Sequence, residues 1–194
     1  MARIVIFTGP PGSGKSTQAT YISREHGLTY FDTGTMFRRL KTEGLSTSEM
    51  DKGVLMDPRM ALELIKKEIS ELMRENPRGI SISGSLRTVE EAFGDNGNNG
   101  VVNWLDETYG KNNLVFFRVN IPKEESIKRN TIRGEGRKDD APELMATRLN
   151  EYETRTKPVF DKLKKDGYNL IEIDGLASRE EVFADIRKHL SALD

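Results

Sequence analysis

The sequence predicts an α/β fold in which helices cover both faces of a five-stranded parallel sheet, giving three layers. Two observations support this prediction. Five short apolar segments, rich in β-branched and aromatic residues, recur along the 194 residues and are typical of buried strands. Segments with the spacing of amphipathic helices separate them, and an alternation of strands and helices indicates a parallel sheet.

Strands and helices alternate along most of the chain. The predicted strands are RIVIFT at 3–8, LTYF at 28–31, GISIS at 79–83, LVFFRVNI at 114–121 and YNLIEID at 168–174. The predicted helices cover residues 16–25, 33–43, 58–75, 101–109, 123–132, 142–165 and 178–193. The stretch GDNGNNG at 94–100 lacks the acidic ladder of a calcium loop, and we predict a surface turn there.

The bulk composition narrows the classes of protein to consider. Lys plus Arg total 30 and Asp plus Glu total 31, so the net charge of −1 argues against nucleic-acid or membrane-surface binding. The absence of cysteine excludes disulfides and thiolate metal sites. No apolar run approaches the roughly 20 residues of a membrane span, so we expect a cytoplasmic protein. The length of 194 residues predicts a single domain over residues 1–194.

The stretch GPPGSGKSTQ at 9–18 follows the first predicted strand and fills the P-loop pattern G-x-x-x-x-G-K-[ST]. Its glycines let successive N–H groups point at phosphate oxygens, and the following helix adds the positive end of its dipole. Lys15 would reach the β- and γ-phosphates, and Ser16 could ligate Mg²⁺. A glycine-rich turn that only joins strand to helix is the alternative, but the complete motif predicts a nucleoside triphosphate site. The residues assigned to it are Gly12, Ser13, Gly14, Lys15, Ser16 and Thr17.

Six arginines lie near predicted strand ends or in one short stretch, which is more than one triphosphate requires. Arg38 and Arg87 could each donate a pair of hydrogen bonds to a second phosphate group, that of a monoester. The other four could neutralise a phosphoryl group during transfer; they are Arg129, Arg133, Arg137 and Arg148. Surface solubility is the alternative for any one of them. For the whole set a second phosphate site is favoured, because parallel sheets bind ligands at the carboxyl ends of their strands.

These motifs resemble the adenylate kinases and their nucleoside monophosphate kinase relatives over nearly the whole chain. GPPGSGKSTQ is similar to the family's GxPGxGKGTQ, and DTGTMFR is similar to its STGDxLR. GVLMD resembles the segment that flanks the acceptor base, and SGSLRTVEEA resembles DGFPRTxxQA. The resemblance implies acceptor contacts from Thr33, Gly34, Arg38, Val54, Leu55, Met56, Gly84, Arg87 and Glu91.

The C-terminal half extends the resemblance. RGEGRKDD and the Arg-Leu pair at 148–149 resemble the family's lid and the helix after it, and DGLAS resembles the loop on the ATP adenine. ATP contacts are thereby implied for Arg129, Arg133 and Ala177, and AMP contacts for Arg137 and Arg148. The lid, at about 130–140, resembles that of the family's short-lid branch, which lacks the long zinc-binding insert of other members. The resemblance also implies a monophosphate-binding insert at about 32–76.

The resemblance implies a reversible, Mg²⁺-dependent transfer of the γ-phosphoryl group of ATP to AMP, giving two ADP. It implies a monomer that uses no zinc and whose partners are ATP, AMP and ADP, with no nucleic acid or membrane. The implied catalytic residues are Lys15, Arg87, Arg129, Arg133, Arg137 and Arg148.

Four positions depart from the family's pattern: Ser16 replaces Gly, Ser83 replaces Asp, the Ser-Leu pair at 85–86 replaces Phe-Pro, and Glu91 replaces Gln. GKST and FDTGTMFR also resemble bacterial cytidylate kinases. A kinase that phosphorylates CMP, UMP or GMP is therefore one alternative, and a module that senses ATP without fast chemistry is another.

Glu91 bears on the acceptor base. An ionised carboxylate can only accept hydrogen bonds, which suits the two donors of guanine better than the mixed edge of adenine. The alternative is that Glu91 turns to solvent beside Glu90 and the base is held by shape. We expect AMP, since Thr33 matches the adenylate branch.

The neutral Ser83 cannot supply the negative charge with which an aspartate at this place helps to hold Mg²⁺. Asp32 ends the second predicted strand, which we expect to lie beside the first strand and its phosphate loop. Shikimate kinases are similar in combining GKST with an acid at the end of the second strand. We therefore predict that Ser16 and Asp32 hold the metal and its waters. The alternative is that Asp32 only caps the helix that begins near Thr33.

Overall fold

The computed structural model describes residues 3–44, 58–95, 98–133 and 142–193. Its strands are β1 (Arg3–Thr8), β2 (Thr29–Asp32), β3 (Gly79–Ser83), β4 (Gly94–Asp95), β5 (Asn98–Asn99), β6 (Leu114–Asn120) and β7 (Asn169–Asp174). Its α-helices are α1 (Lys15–His26), α2 (Thr33–Thr42), α3 (Pro58–Glu75), α4 (Val89–Phe93), α5 (Val101–Tyr109), α6 (Lys123–Arg133), α7 (Pro142–Glu151), α8 (Lys157–Lys165) and α9 (Arg179–Ser191). A short 3₁₀ turn covers Lys111–Asn113, and a π-helical segment covers Tyr152–Thr156.

The main sheet has the strand order β2-β3-β1-β6-β7, and every neighbouring pair is parallel. The predicted five-stranded parallel sheet is confirmed. The expectation that β2 lies beside β1 is wrong, because β3 lies between them. Ser83 is paired with Phe7 of β1 on one side and with Asp32 of β2 on the other, so these strands end level with one another.

Apolar side chains cover both faces of this sheet, as the prediction of three layers requires. Alternate residues along a strand face opposite sides: Ile4 and Ile6 of β1 join one core cluster, and Val5 and Phe7 join the other. The first cluster is covered by α3, α5 and α8, through residues such as Ile69, Leu105 and Leu163. The second is covered by α1 and α9, through residues such as Ile22 and Ile186. In the described residues, no helix combines the length and the apolar character that crossing a bilayer requires.

The predicted helix over 142–165 is interrupted by the π-helical segment. The N–H of Lys157 donates to the carbonyl of Tyr152, five residues earlier, instead of four. Pro158 follows directly. It has no N–H for the carbonyl of Thr154, and its ring would clash with that carbonyl in an α-helix. The proline therefore accounts for the widened turn.

One short helix and one short pair of strands were not predicted. The five-residue helix α4 follows β3, where Thr88 caps it by accepting a hydrogen bond from the N–H of Glu91 at 3.0 Å. Within the predicted surface turn at 94–100, β4 and β5 form an antiparallel pair. Each element is too short to show a periodic pattern in the sequence.

Candidate active site

The loop between β1 and α1 has the backbone shape that its glycines predict. Gly12 and Gly14 have φ angles of 74° and 90°, in the left-handed region that favours glycine. A Cβ at Gly12 would lie 2.5 Å from Nδ2 of Asn130, and that amide is held in place because it donates to the carbonyl of Ser126 at 2.7 Å. Gly14 precedes α1 directly and has no side chain with which to cap it. The first N–H groups of α1 are therefore available to an anion.

A cleft with a volume of about 510 Å³ lies beside this loop; we call it the loop cleft. The ends of α1, α6 and α9 meet there. The structure brings together eight of the residues predicted to bind the triphosphate: Gly12, Ser13, Gly14, Lys15, Ser16, Thr17, Arg129 and Ala177. Arg129 is oriented by Glu125, one helical turn earlier, which accepts its Nε–H at 2.7 Å.

Two buried polar groups in the loop cleft have no hydrogen-bond partner among the described residues: Oγ of Ser13 and Oε1 of Gln18. The side-chain N–H of Gln18 is used, donating to the carbonyl of Arg179 at 3.0 Å. A buried acceptor without a partner costs about 1–3 kcal/mol, so both groups favour a ligand or water in this cleft. Gln18 was missed as a site residue. Its position in the sequence, one helical turn after Gly14, could have indicated that it lies on the face of α1 that adjoins the loop.

A second, smaller cleft of about 50 Å³ lies at the ends of β1 and β3; we call it the arginine cleft. Arg87, predicted to hold the acceptor phosphate, and Arg148, predicted to contact AMP and the transferring phosphoryl group, line it together with Gly84. Nε of Arg87 donates to the carbonyl of Gly84 at 2.7 Å. The other lining residues include Ser85 and Thr156, which were not predicted as site residues.

Lys15 lines both clefts. Its Nζ donates to the carbonyl of Pro10 within the loop at 3.1 Å, which keeps the ammonium group over the loop. One positive charge therefore lies where the two clefts meet. A group passing from a ligand in one cleft to a ligand in the other would pass beside this ammonium group.

The predicted acceptor residues at the start of α2 lie beside the arginine cleft and do not line it. Thr33 is buried, with its hydroxyl 3.5 Å from the carbonyl of Ser83. A Cβ at Gly34 would lie 3.2 Å from a guanidinium nitrogen of Arg38. Arg38 donates to the hydroxyl of Thr35 at 2.8 Å and lies 3.8 Å from the Asp32 carboxylate. The structure thus places Arg38 with Asp32, and its contact with an acceptor phosphate stays a prediction.

Glu91 lies inside the protein, so the alternative that it turns to solvent is wrong. Its side chain is buried, and its two carboxylate oxygens accept the N–H groups of Leu86 and Arg87 at 2.7 and 3.2 Å. Burial raises the pKa of this carboxyl, while the two N–H groups and the positive charge of Arg87 act against that rise. In the structure Glu91 accepts hydrogen bonds from the backbone of the preceding turn. Its contact with the acceptor base stays a prediction.

Ser16, Asp32 and Ser83 form a cluster of oxygens at the carboxyl ends of the strands. The hydroxyl of Ser16 donates to Oδ2 of Asp32 at 3.3 Å and lies 2.8 Å from the hydroxyl of Ser83. Oδ1 of Asp32 accepts the N–H of Thr35 at 2.7 Å and so caps α2. Asp32 therefore caps a helix with one oxygen and faces the phosphate loop with the other, although β3 separates its strand from β1.

The charge on Asp32 is favoured by its surroundings. Burial acts against ionisation, but hydrogen bonds from Thr35 and the positive charges of Arg87 and Arg38 outweigh it and hold the pKa of this carboxyl below its usual value. An anionic oxygen is consequently present beside Ser16 at neutral pH.

Several predicted residues lie outside the described part of the chain. These are Val54, Leu55 and Met56 at the acceptor base and Arg137 in the predicted lid. The backbone of Arg133 ends α6, but its side chain is not described.

Comparison with known proteins adds to this geometry. A family model described as adenylate kinase matches residues 7–168 of the chain. The adenylate kinase of Thermus thermophilus is 33% identical over 197 residues, covering 98% of this chain and 98% of that protein. The adenylate kinases of Carboxydothermus hydrogenoformans and Leptospira biflexa are 32% and 33% identical, each covering 96% of this chain and 98% of their own.

Proposed function

The chain belongs to the adenylate kinase family, and from this premise we propose that it transfers the γ-phosphoryl group of Mg·ATP to AMP, giving two ADP in a reversible reaction. ATP would occupy the loop cleft with its phosphates on the N–H groups at the start of α1. AMP would place its phosphate in the arginine cleft. The observation that carries this proposal is that Lys15 lines both clefts.

Phosphoryl transfer requires positioning and charge stabilisation more than covalent chemistry from the protein. In this arrangement Arg87 and Arg148 hold the acceptor phosphate so that one of its oxygens faces the donor. Lys15 stabilises the negative charge of the group in transfer, midway between the clefts. Arg129, oriented by Glu125, supplies a further positive charge at the loop cleft. We assign Arg133 and Arg137 the same role, on the family resemblance alone.

The experiment that tests this function is a coupled turnover assay with Mg·ATP and a panel of AMP, CMP, UMP and GMP. We expect AMP to give the highest kcat/KM. A higher value for another monophosphate would make the protein a kinase of that acceptor. Binding of ATP without turnover on any acceptor would instead indicate the sensing module.

Mg²⁺ is implied as the partner of ATP, and the oxygens near the loop fit its chemistry. Mg²⁺ prefers oxygen ligands and commonly uses one or two carboxylates together with waters and substrate phosphates. Among the described residues no group of three or more acidic or histidine side chains could hold a metal by itself, but Ser16 and Asp32 present a hydroxyl and a carboxylate 3.3 Å apart. We assign Ser16 as a ligand and Asp32 to its water shell. The ion would supply charge neutralisation at the β- and γ-phosphates.

Asp32→Asn is expected to raise the Mg²⁺ concentration needed for half-maximal turnover by about tenfold or more, the usual cost of removing an outer-shell partner of a metal. Both Asn and Ser are good helix N-caps, so Asp32→Asn and Asp32→Ser should leave the unfolding temperature nearly unchanged. Adding Ser83→Asp should restore part of the Mg²⁺ response. An unchanged Mg²⁺ response in both variants would leave Asp32 only its capping role.

We further propose that the protein acts as a monomer in the cytoplasm, where ATP and AMP are turned over. This proposal rests on the family resemblance. Light scattering after size exclusion should therefore give the mass of a single chain.

A further inference from the structure

The turn between β3 and α4 carries Arg87 and has an unusual backbone. Leu86 has a φ of 61°, and it is the one residue other than glycine in the described part of the chain with a positive φ. This conformation is unfavourable for a residue with a Cβ and persists where the surroundings over-determine it. The Leu86 side chain is fully buried in the core cluster that α3, α5 and α8 cover. The turn is thus held on its inner side by packing.

Glu91 holds the same turn through hydrogen bonds. Thr88 and Glu91 have the spacing of a capping box, in which the glutamate would reach back to the N–H of the capping residue. Here the carboxylate reaches further, to the N–H groups of Leu86 and Arg87 at 2.7 and 3.2 Å. The left-handed Leu86 turns two successive N–H groups toward one carboxylate. A proline at 86 could not adopt this φ, and it has no N–H to donate. The hydrogen bond from residue 86 to Glu91 therefore requires a residue other than proline, such as Leu86.

Thr156 holds the next peptide unit, on the other side of the Arg87 Cα. Its hydroxyl donates to the carbonyl of Arg87 at 2.8 Å from the π-helical segment. The N–H of Arg87 is bonded to Glu91, its carbonyl to Thr156, and its Nε to the carbonyl of Gly84. Glu91 and Thr156 are both buried, so solvent does not compete for these bonds. The backbone of Arg87 is therefore fixed from two separate elements, α4 and the π-helical segment.

We propose that Glu91 and Thr156 are positioning residues, which hold Arg87 in the orientation that receives the acceptor phosphate. This proposal rests on the proposed function, because it assumes that Arg87 binds the monophosphate. A fixed guanidinium loses little conformational freedom when the phosphate binds, and small errors in its placement weaken an oriented pair of charged hydrogen bonds. Glu91 thus acts on every monophosphate alike, through Arg87, and not on one base.

Glu91→Gln tests this role with almost no change in shape. The amide presents an N–H to one of the two backbone donors, so one hydrogen bond becomes a repulsive contact. We expect the KM for AMP to rise by about tenfold or more, the effect of losing one charge-assisted hydrogen bond, with the KM for ATP within about twofold of the parent's. Glu90→Gln, one residue earlier and exposed, removes the same charge from the same helix and should change neither KM.

Two further measurements separate positioning from a structural role. In an Arg87→Ala background, Glu91→Gln should no longer raise the acceptor KM, because a residue that acts through Arg87 has nothing left to position. Thr156→Val keeps the side-chain volume and removes the hydroxyl, so it should also raise the acceptor KM selectively, even if Glu91→Gln folds poorly.

Three results would overturn the proposal. Unchanged acceptor KM values with a lower unfolding temperature would make Glu91 and Thr156 purely structural. An altered ranking of AMP against GMP in Glu91→Gln would place the carboxylate at the base. An undiminished effect of Glu91→Gln in the Arg87→Ala background would show that Glu91 does not act through that arginine. If the parent protein turned over no monophosphate at all, the proposed function itself would fail, and the parent assay distinguishes that case.

Discussion

Lys15→Ala is expected to lower kcat by about a hundredfold or more while leaving the unfolding temperature close to that of the parent protein. Removing one preorganised group that stabilises transition-state charge costs about this much in other enzymes. Lys15 is the residue common to both clefts, so its loss affects the charge on the transferred group whichever nucleotide donates it. The forward and reverse reactions should therefore decline together.

The measurement is steady-state turnover in both directions, with thermal unfolding of each variant. Lys188→Ala is a matched control, because Lys188 is exposed in the last turn of α9, away from the loop. Near-normal turnover in Lys15→Ala would contradict the assignment of the loop as the donor phosphate site. A lower unfolding temperature alone would mean that the lysine supports the fold.

Arg87→Ala is expected to damage acceptor use far more than ATP use. Truncating one partner of a buried charge pair costs about 2–5 kcal/mol, which corresponds to a loss of roughly thirtyfold or more in kcat/KM for AMP. The ATP parameters should change little, because Arg87 lines the arginine cleft and not the loop cleft. Arg87→Lys should fall between the parent and Arg87→Ala, since lysine keeps the charge but loses the forked geometry.

Arg187→Ala provides the control for this variant. Arg187 is an exposed arginine on α9 that pairs with Glu25 at 2.7 Å, so its removal takes away an ion pair of the surface kind, worth about 0–1 kcal/mol. Its kinetics should match the parent's. A raised ATP KM with an unchanged acceptor KM in Arg87→Ala would reverse the assignment of the two clefts.

The sequence predicts most of the architecture because its signals are local. Each strand of the main sheet has a short apolar run, and the glycines of the phosphate loop set its backbone directly. The order of the strands is not local: Asp32 looked like a neighbour of the first strand, and only the path of the crossover places β3 between them. Asp32 nevertheless reaches Ser16, since its strand ends level with Ser83 and the small side chain of that serine leaves room.

Glu91 shows that the orientation of a side chain can depend on a backbone conformation that the sequence does not reveal. Its spacing from Arg87 resembles the family's pattern, but the direction of its side chain depends on the left-handed backbone of Leu86. A leucine in the sequence gives no indication that its φ will be positive. The interruption at Tyr152–Thr156 is different, because Pro158 was a visible signal that a continuous helix over 142–165 was too simple.

The widened turn at Tyr152–Thr156 also limits which length changes this region can tolerate. Removing one residue there would take away the extra residue of the widened turn but leave Pro158 in place, whose ring would then clash with the carbonyl four residues earlier. The deletion would consequently strain the entry into α8, where Val159, Phe160 and Leu163 fill the core. It would also break the bond from Thr156 to Arg87. A single-codon deletion in this segment is therefore expected to disrupt the core packing and the arginine cleft together.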